Sequence, residues 1–120
     1  VQTLHAAGAD VQYVSIPSNG RWYDHIGIKK DRREAVYKKI HSTVVDNGGK
    51  IYDLTNKDYE KYVISDAVHI GWKGWVYVDQ QIARHMDGHA PKNHEVDYSK
   101  NKPPHKHHND RQDDQHQGNK

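Results

Sequence analysis

The sequence predicts an α/β chain, the C-terminal portion of a doubly wound parallel sheet followed by a disordered polar tail. Three observations carry that prediction. Two β-branched, aromatic-rich runs, "VQYVSIP" and "KIYDL", read as strands. The stretch between them has helical periodicity, so strand, crossover helix and strand follow in order, which implies a parallel pair with a right-handed connection. After Met86 only Ala90, Val96 and Tyr98 are apolar, too little to offset the entropy of ordering the chain.

Each element has its own warrant. "LHAAGAD" reads as the last turn of a helix closed by Gly8. The first strand spans about residues 10–16 and stops at Pro17. "SNGRWYDHIGIKK" follows as a loop holding Trp22 and Tyr23. Asp31 and Glu34 form a D-x-x-E entrance with the geometry of a capping box, and a helix runs on to about residue 46. Val36, Ile40 and Val44, with Ala35, make its apolar stripe. Asn47, Gly48 and Gly49 end it, and the second strand covers residues 50–54. Thr55 and Asp58 open a short helix reaching about residue 62. A polar turn comes next, then a last helix over about residues 73–85. Trp75, Val78, Ile82 and Met86 line one side of it, with Val76 and Ala83 beside them, and Gly88 closes it.

Parallel sheets are normally covered on both faces and rarely stop at two strands. The pair is therefore expected to end a larger sheet, with apolar faces and an edge left open. Self-association or marginal stability of the isolated piece is the consequence. Residues 1–86 form the globular part and residues 87–120 the hydrophilic, His-rich tail.

Composition removes several function classes. The 120 residues allow one domain. The apolar fraction is 33%, against a usual value of about 45–50%. The net charge is +2 with both signs interspersed, so neither a nucleic-acid surface nor a basic membrane face is indicated. There is no cysteine, hence no disulfide framework and no thiol chemistry. No run is apolar enough to span a bilayer, and no signal peptide is visible.

The most informative stretch is "DAVHIGWKGW", residues 66–75. Asp66 and His69 are three apart. A serine nucleophile needs an imidazole to take its proton, and the imidazole needs a carboxylate on Nδ1. A D-x-x-H turn can supply both locally, leaving Nε2 to face a serine from elsewhere. The plainer reading makes Asp66 an Asx-turn residue and His69 a surface histidine. Trp72 either walls a site or packs; Trp75 fits the core stripe. Gly74, near the helix start, suggests close approach of another element or a ligand. In "PSNGRWYDHIG", Pro17, Asn19 and Gly20 read as a turn, while Trp22 and Tyr23 either pin the loop or line a pocket. The loops leaving the carboxyl ends of the two strands carry both constellations, where open α/β sheets place their ligands. His85, His89, His94, His105, His107, His108 and His116 have no structural-metal spacing; they read as a polar extension with incidental metal affinity, and no metal site is assigned.

Taken together, "VSIPSNGRWYDHIG", the D-R-R-E-x-x-Y-K-K-I helix, "IYDLTNKDYEKY" and "DAVHIGWKGW" resemble the C-terminal part of the DltD family, over roughly residues 1–86. The resemblance implies an SGNH/GDSL-like (flavodoxin-like) hydrolase fold. It implies a catalytic domain on the extracytoplasmic face of a Gram-positive membrane, held there by an N-terminal anchor. It implies D-alanylation of teichoic acids by acyl transfer through a Ser-His-Asp triad. His69 and Asp66 match the base and acid of the family's last motif. Asn19, Gly20, Trp22, Tyr23 and Trp72 are the candidate substrate-binding residues. Implied partners are the teichoic acid, a D-alanyl donor, and a carrier protein or membrane acyltransferase; no cofactor is implied.

The family's nucleophilic serine lies near the start of its extracellular domain, in a segment this sequence does not contain. Ser15, Ser18, Ser42, Ser65 and Ser99 all lie outside a nucleophile motif. The expectation is a C-terminal portion with two of three triad members, inactive alone because serine and oxyanion hole are both wanting. Three alternatives stay open: an SGNH esterase or thioesterase, a non-enzymatic docking module, and a metal-binding protein acting through its tail.

Overall fold

In the computed structural model, residues 1–89 and 96–104 are described. Helix α1 (Gln2–Ala6) leads to strand β1 (Gln12–Ser15), helix α2 (Gly20–His25), helix α3 (Lys30–Asp46), strand β2 (Lys50–Asp53), a 3-10 turn (Thr55–Lys57) and helix α4 (Trp72–Met86). The architecture is α/β. β1 and β2 pair in parallel, with Gln12 opposite Lys50 and Ser15 opposite Asp53. The amide of Leu54 continues the ladder by donating to Ser15 O at 2.9 Å. Helix α3 packs on both strands as the crossover.

The buried centre is small. Ile51, Leu54, Val63, Ile64, Val44 and Val78 form it, joined by Tyr37 and Tyr98. Much of the remainder is polar. Arg33 is buried on α3 and donates to Asp58 (3.2 and 3.3 Å), Asp24 (2.7 Å), Ile28 O (2.6 Å) and the Tyr59 hydroxyl (2.9 Å). Those acceptors hold its charge on more firmly than usual, against the opposing cost of burial.

Several elements differ from the sequence reading, each for a local reason. The segment after Pro17 is not all loop: residues 20–25 are helical, and Asn19 caps them by accepting from Trp22 N at 3.3 Å. Asp31 and Glu34 build no capping box. Lys29 is the N-cap and makes no side-chain cap bond; Asp31 accepts from Arg32 N and Glu34 pairs with Lys30 at 3.1 Å. On α3 the buried residues are Arg33, Tyr37 and Val44. Val36 and Ile40 are 57% and 46% exposed. Hydrogen bonding from Arg33, and from Ser18 to the Tyr37 hydroxyl (2.8–2.9 Å), turns the helix away from its aliphatic stripe.

A helix through residue 62 does not form. After the 3-10 turn the chain runs through turns, and Asp58 is withdrawn as Arg33's buried partner. On α4, Gly74, Val78 and Gln81 face inward. Val78 is core as expected, but Trp75 is 53% exposed, and Ile82 and Met86 are exposed with it. Backbone proximity decides this: a Cβ on Gly74 would lie 2.5 Å from Val63 O, so the glycine face is the one that approaches.

Part of the expected polar tail packs instead. Tyr98 is 7% exposed and stacks on Tyr37 at 6.5 Å, with its hydroxyl 2.5 Å from Thr55 Oγ1. Asn101 is buried and donates to Asp58. One aromatic ring and one amide, each meeting a waiting polar partner, order a stretch that composition alone marks as solvated. His94, His105, His107, His108 and His116 lie outside the described residues.

Candidate active site

The segment after the 3-10 turn folds back as a small antiparallel loop. Val63 and Ile64 are buried and anchor one arm. Ile64 bridges Ile70, and Ser65 N donates to His69 O at 2.8 Å. Gly71 N then donates to Val63 O at 2.7 Å, seating the start of α4 against the same arm. Gly71 has no room for a side chain here, because Tyr62 O fills the space. Tyr62 itself takes a left-handed backbone (φ 68°), which points its carbonyl at Lys73 N at 3.1 Å.

The tip of this loop carries Asp66 and His69, and one carboxylate serves both the turn and the imidazole. Asp66 Oδ1 accepts from Val68 N (2.9 Å) and His69 N (2.8 Å), which is an Asx-type turn. Its other oxygen, Oδ2, lies 2.7 Å from His69 Nδ1. The amides of His69 and Val68, then the imidazole, hold the Asp66 carboxyl down at about 2. It is therefore ionised at neutral pH and can only accept. The contact therefore requires an N–H at His69 Nδ1, which leaves Nε2 on the far side of the ring. The side chains of His69 and Asp66 are 78% and 57% exposed, so the pair sits at the surface of the described residues.

Asn19 comes from the other strand end. Its backbone N–H donates to Ala67 O at 2.9 Å, and its Nδ2 donates to Asp66 O at 2.9 Å. The loop leaving β1 thus meets the turn beyond β2 at the carboxyl end of the sheet. Gly20 is buried; a Cβ there would come within 2.7 Å of the Tyr59 ring, and its amide donates to Asp58 O at 2.7 Å. Trp22 is exposed and Tyr23 half-buried on α2. Trp72 is exposed at the start of α4 and leans on Tyr62 with ring centroids 5.6 Å apart. A groove of about 240 Å³ lies beside this region, lined by Asn19, Arg21, Tyr59, Lys61, Tyr62 and Ile64 among others; Asp66 and His69 are not in its wall.

A second histidine–carboxylate contact was not legible in the sequence. His41 Nδ1 on α3 lies 2.8 Å from Asp53 Oδ2 at the end of β2, and Asp53 Oδ1 accepts from Thr55 N and Oγ1. The two residues are twelve apart, and only the packing of the crossover helix on the strand joins them. Among the described residues no group of three or more His, Asp or Glu is placed to hold a metal. His85 pairs with Asp10 at 3.4 Å. No described helix is long and apolar enough to cross a membrane.

The family model described as "DltD protein" matches residues 1–87. Protein DltD of Staphylococcus aureus (strain NCTC 8325 / PS 47) is 79% identical over 101 residues, covering 84% of this chain and 25% of that protein. Protein DltD of Bacillus subtilis (strain 168) is 44% identical over 79 residues, 66% of this chain and 20% of the relative. Protein DltD of Lacticaseibacillus rhamnosus is 27% identical over 74 residues, 61% of this chain and 18% of the relative. The chain spans a quarter or less of the length of these curated relatives. On the family match and these identities, the chain belongs to the DltD family.

Proposed function

We propose that this chain supplies the base and its orienting carboxylate to a D-alanyl transfer site of an SGNH-like DltD protein that acts on teichoic acids outside the membrane. The observation that carries the reading is the Asp66–His69 pair, with Nδ1 engaged at 2.7 Å and Nε2 open. Family membership supports the pathway.

The nucleophile is a serine outside this sequence. His69 Nε2 takes its proton as Oγ attacks the carbonyl carbon of the D-alanyl donor. The resulting imidazolium gives that proton to the departing group, leaving a D-alanyl ester on serine. A polyol hydroxyl of the teichoic acid then loses its proton to Nε2 and attacks the ester. The proton returns to serine Oγ as it leaves. Asp66 holds the ring and offsets its positive charge in both halves. Trp22, Tyr23 and Trp72, at the rim of the sheet's carboxyl end, are the residues proposed to contact substrate. The Asn19 side chain and Gly20 are already committed to the scaffold.

The test is full-length protein carrying His69→Ala or Asp66→Asn, read as D-alanine esterified to the envelope polymer at normal protein level. Expected losses are on the order of 10³-fold or more for either. Unchanged esterification with His69→Ala would falsify the reading and favour a docking role. Release of free D-alanine in place of transfer would favour an esterase.

A further inference from the structure

The Asp66–His69 pair sits on a loop tip that its own residues cannot hold against the body of the protein. Residues 64, 65, 69 and 70 bond to one another across the base of the loop. Asp66 Oδ1 bonds only within the tip, to Val68 N and His69 N. Among the described residues, the hydrogen bonds that fasten residues 66–68 to another segment both come from Asn19: its backbone N–H to Ala67 O and its Nδ2 to Asp66 O, each 2.9 Å.

Asn19 is itself immobilised. Its Oδ1 accepts from Trp22 N at 3.3 Å as the cap of α2, and the following residue, Gly20, is pinned by its 2.7 Å bond to Asp58 O. Asp58 in turn is locked by Arg33 and Asn101. All four bonding groups of Asn19 are used: the backbone N–H and Nδ2 on the tip, and Oδ1 and the backbone carbonyl, which accepts from Tyr23 N at 3.0 Å, on the helix. An amide side chain is needed: one end must accept from the cap while the other donates to a carbonyl.

We infer that Asn19 is the positioning residue of the candidate site: it clamps the Asp66–His69 turn to the β1 end of the sheet and thereby fixes where His69 Nε2 points. The inference rests on the proposed role of that pair. It gives Asn19 a task different from contacting substrate, since its polar atoms face the turn and the cap. A loop carrying a general base tolerates little displacement, because an error of about 1 Å can cost on the order of 10²-fold in rate.

The decisive variant is Asn19→Ser in the full-length protein. Serine keeps a good cap for α2 but lacks the amide donor to Asp66 O. Two quantities are read. One is the rate of D-alanine esterification in membranes containing equal amounts of protein. The other is the set of backbone amide signals of Ala67, Val68 and His69 in isotope-labelled protein, which report whether the turn keeps its place and rigidity. The expected result is an esterification rate lower by about tenfold or more, with those turn signals shifted or broadened. Should Asn19→Ser reduce the amount of folded protein, Asn19→Asp, also a strong cap without the donor, takes its place.

An unchanged rate overturns the inference, and so does a lowered rate with the turn signals unaltered, which would mark Asn19 as a substrate contact. Shifted turn signals at full rate also overturn it. Full activity of His69→Ala, by contrast, removes the underlying reading of the site, so the two failures are distinct.

Discussion

Replacing Arg33 by leucine tests whether this small fold depends on its polar centre. The Arg33 side chain is 3% exposed, and its Asp58 partner is fully enclosed at 3.2 Å. At that distance the Coulomb attraction is about 5 kcal/mol for an effective dielectric of about 20. Much of it repays the desolvation of the two ions, so the pair's net worth is far smaller. Removing one partner is different, because Asp58 stays buried with only the Asn101 amide to satisfy it. The expected cost of Arg33→Leu is about 3–5 kcal/mol, a large part of a domain's usual stability of about 5–15 kcal/mol. Urea unfolding of the chain, followed by far-UV circular dichroism and tryptophan fluorescence, measures it. The double variant Arg33→Leu with Asp58→Leu should recover most of the loss, since an apolar pair leaves no buried charge. A single-variant shift under about 1 kcal/mol, or a double variant no better than the single, would refute the argument.

Three further outcomes follow from the geometry. Gly74→Ala should destabilise the protein by about 1 kcal/mol or more, although alanine in a helix is normally favoured by about 1 kcal/mol; the new Cβ meets Val63 O at 2.5 Å, and a rise in melting temperature would contradict that contact. The Asp66 carboxyl titrates at about 2, below its ordinary 3.8, so its turn bonds are complete above the ordinary value and are lost only as pH falls through about 2. The side-chain carboxyl carbon of Asp66 should accordingly show no protonation step down to about pH 3, and such a step near pH 4 would disprove the turn. The chain should also self-associate at micromolar concentration, because Val14, Ile16, Trp75, Ile82 and Met86 are exposed apolar groups; sedimentation showing only monomer up to roughly 100 μM would count against this.

Some of the structure was legible because a few residues decide it locally. Pro17 and the glycines at 48 and 49 bound strands whose β-branched residues leave little choice, so β1, β2 and the intervening helix fall where the periodicity places them. The D-x-x-H turn was equally local: a carboxylate three residues before an imidazole can reach both the ring and the amide, and it does. What failed was the choice of helix face. Aliphatic spacing selected Val36 and Ile40, whereas Arg33 and Tyr37 are buried through hydrogen bonds to residues far along the chain. No pattern within α3 announces that an arginine will find an enclosed carboxylate at residue 58. The same limit hid Tyr98 and Asn101, whose order depends on Thr55 and Asp58 offering oxygen atoms to a segment poor in apolar residues.

The misread faces and the exposed site have a common physical cause. Val14 and Ile16 on β1, Val36 and Ile40 on α3, and Trp75 and Ile82 on α4 are all apolar positions left in contact with water. A parallel sheet of two strands cannot bury both of its faces, so the periodicity was a sound guide to surfaces that need covering and a poor guide to what these residues alone can cover. His69 shares that condition. Its Nδ1 is satisfied from within the turn, its loop is fastened by Asn19 to the neighbouring strand end, and its side chain is largely exposed. In the proposed role, an imidazole so exposed would gain little from a low-dielectric site until further protein or substrate excludes water around it. Residues 19 and 66–69 thus set the geometry of the turn among themselves, whereas shielding the imidazole from water needs cover of the same kind that the open apolar faces need.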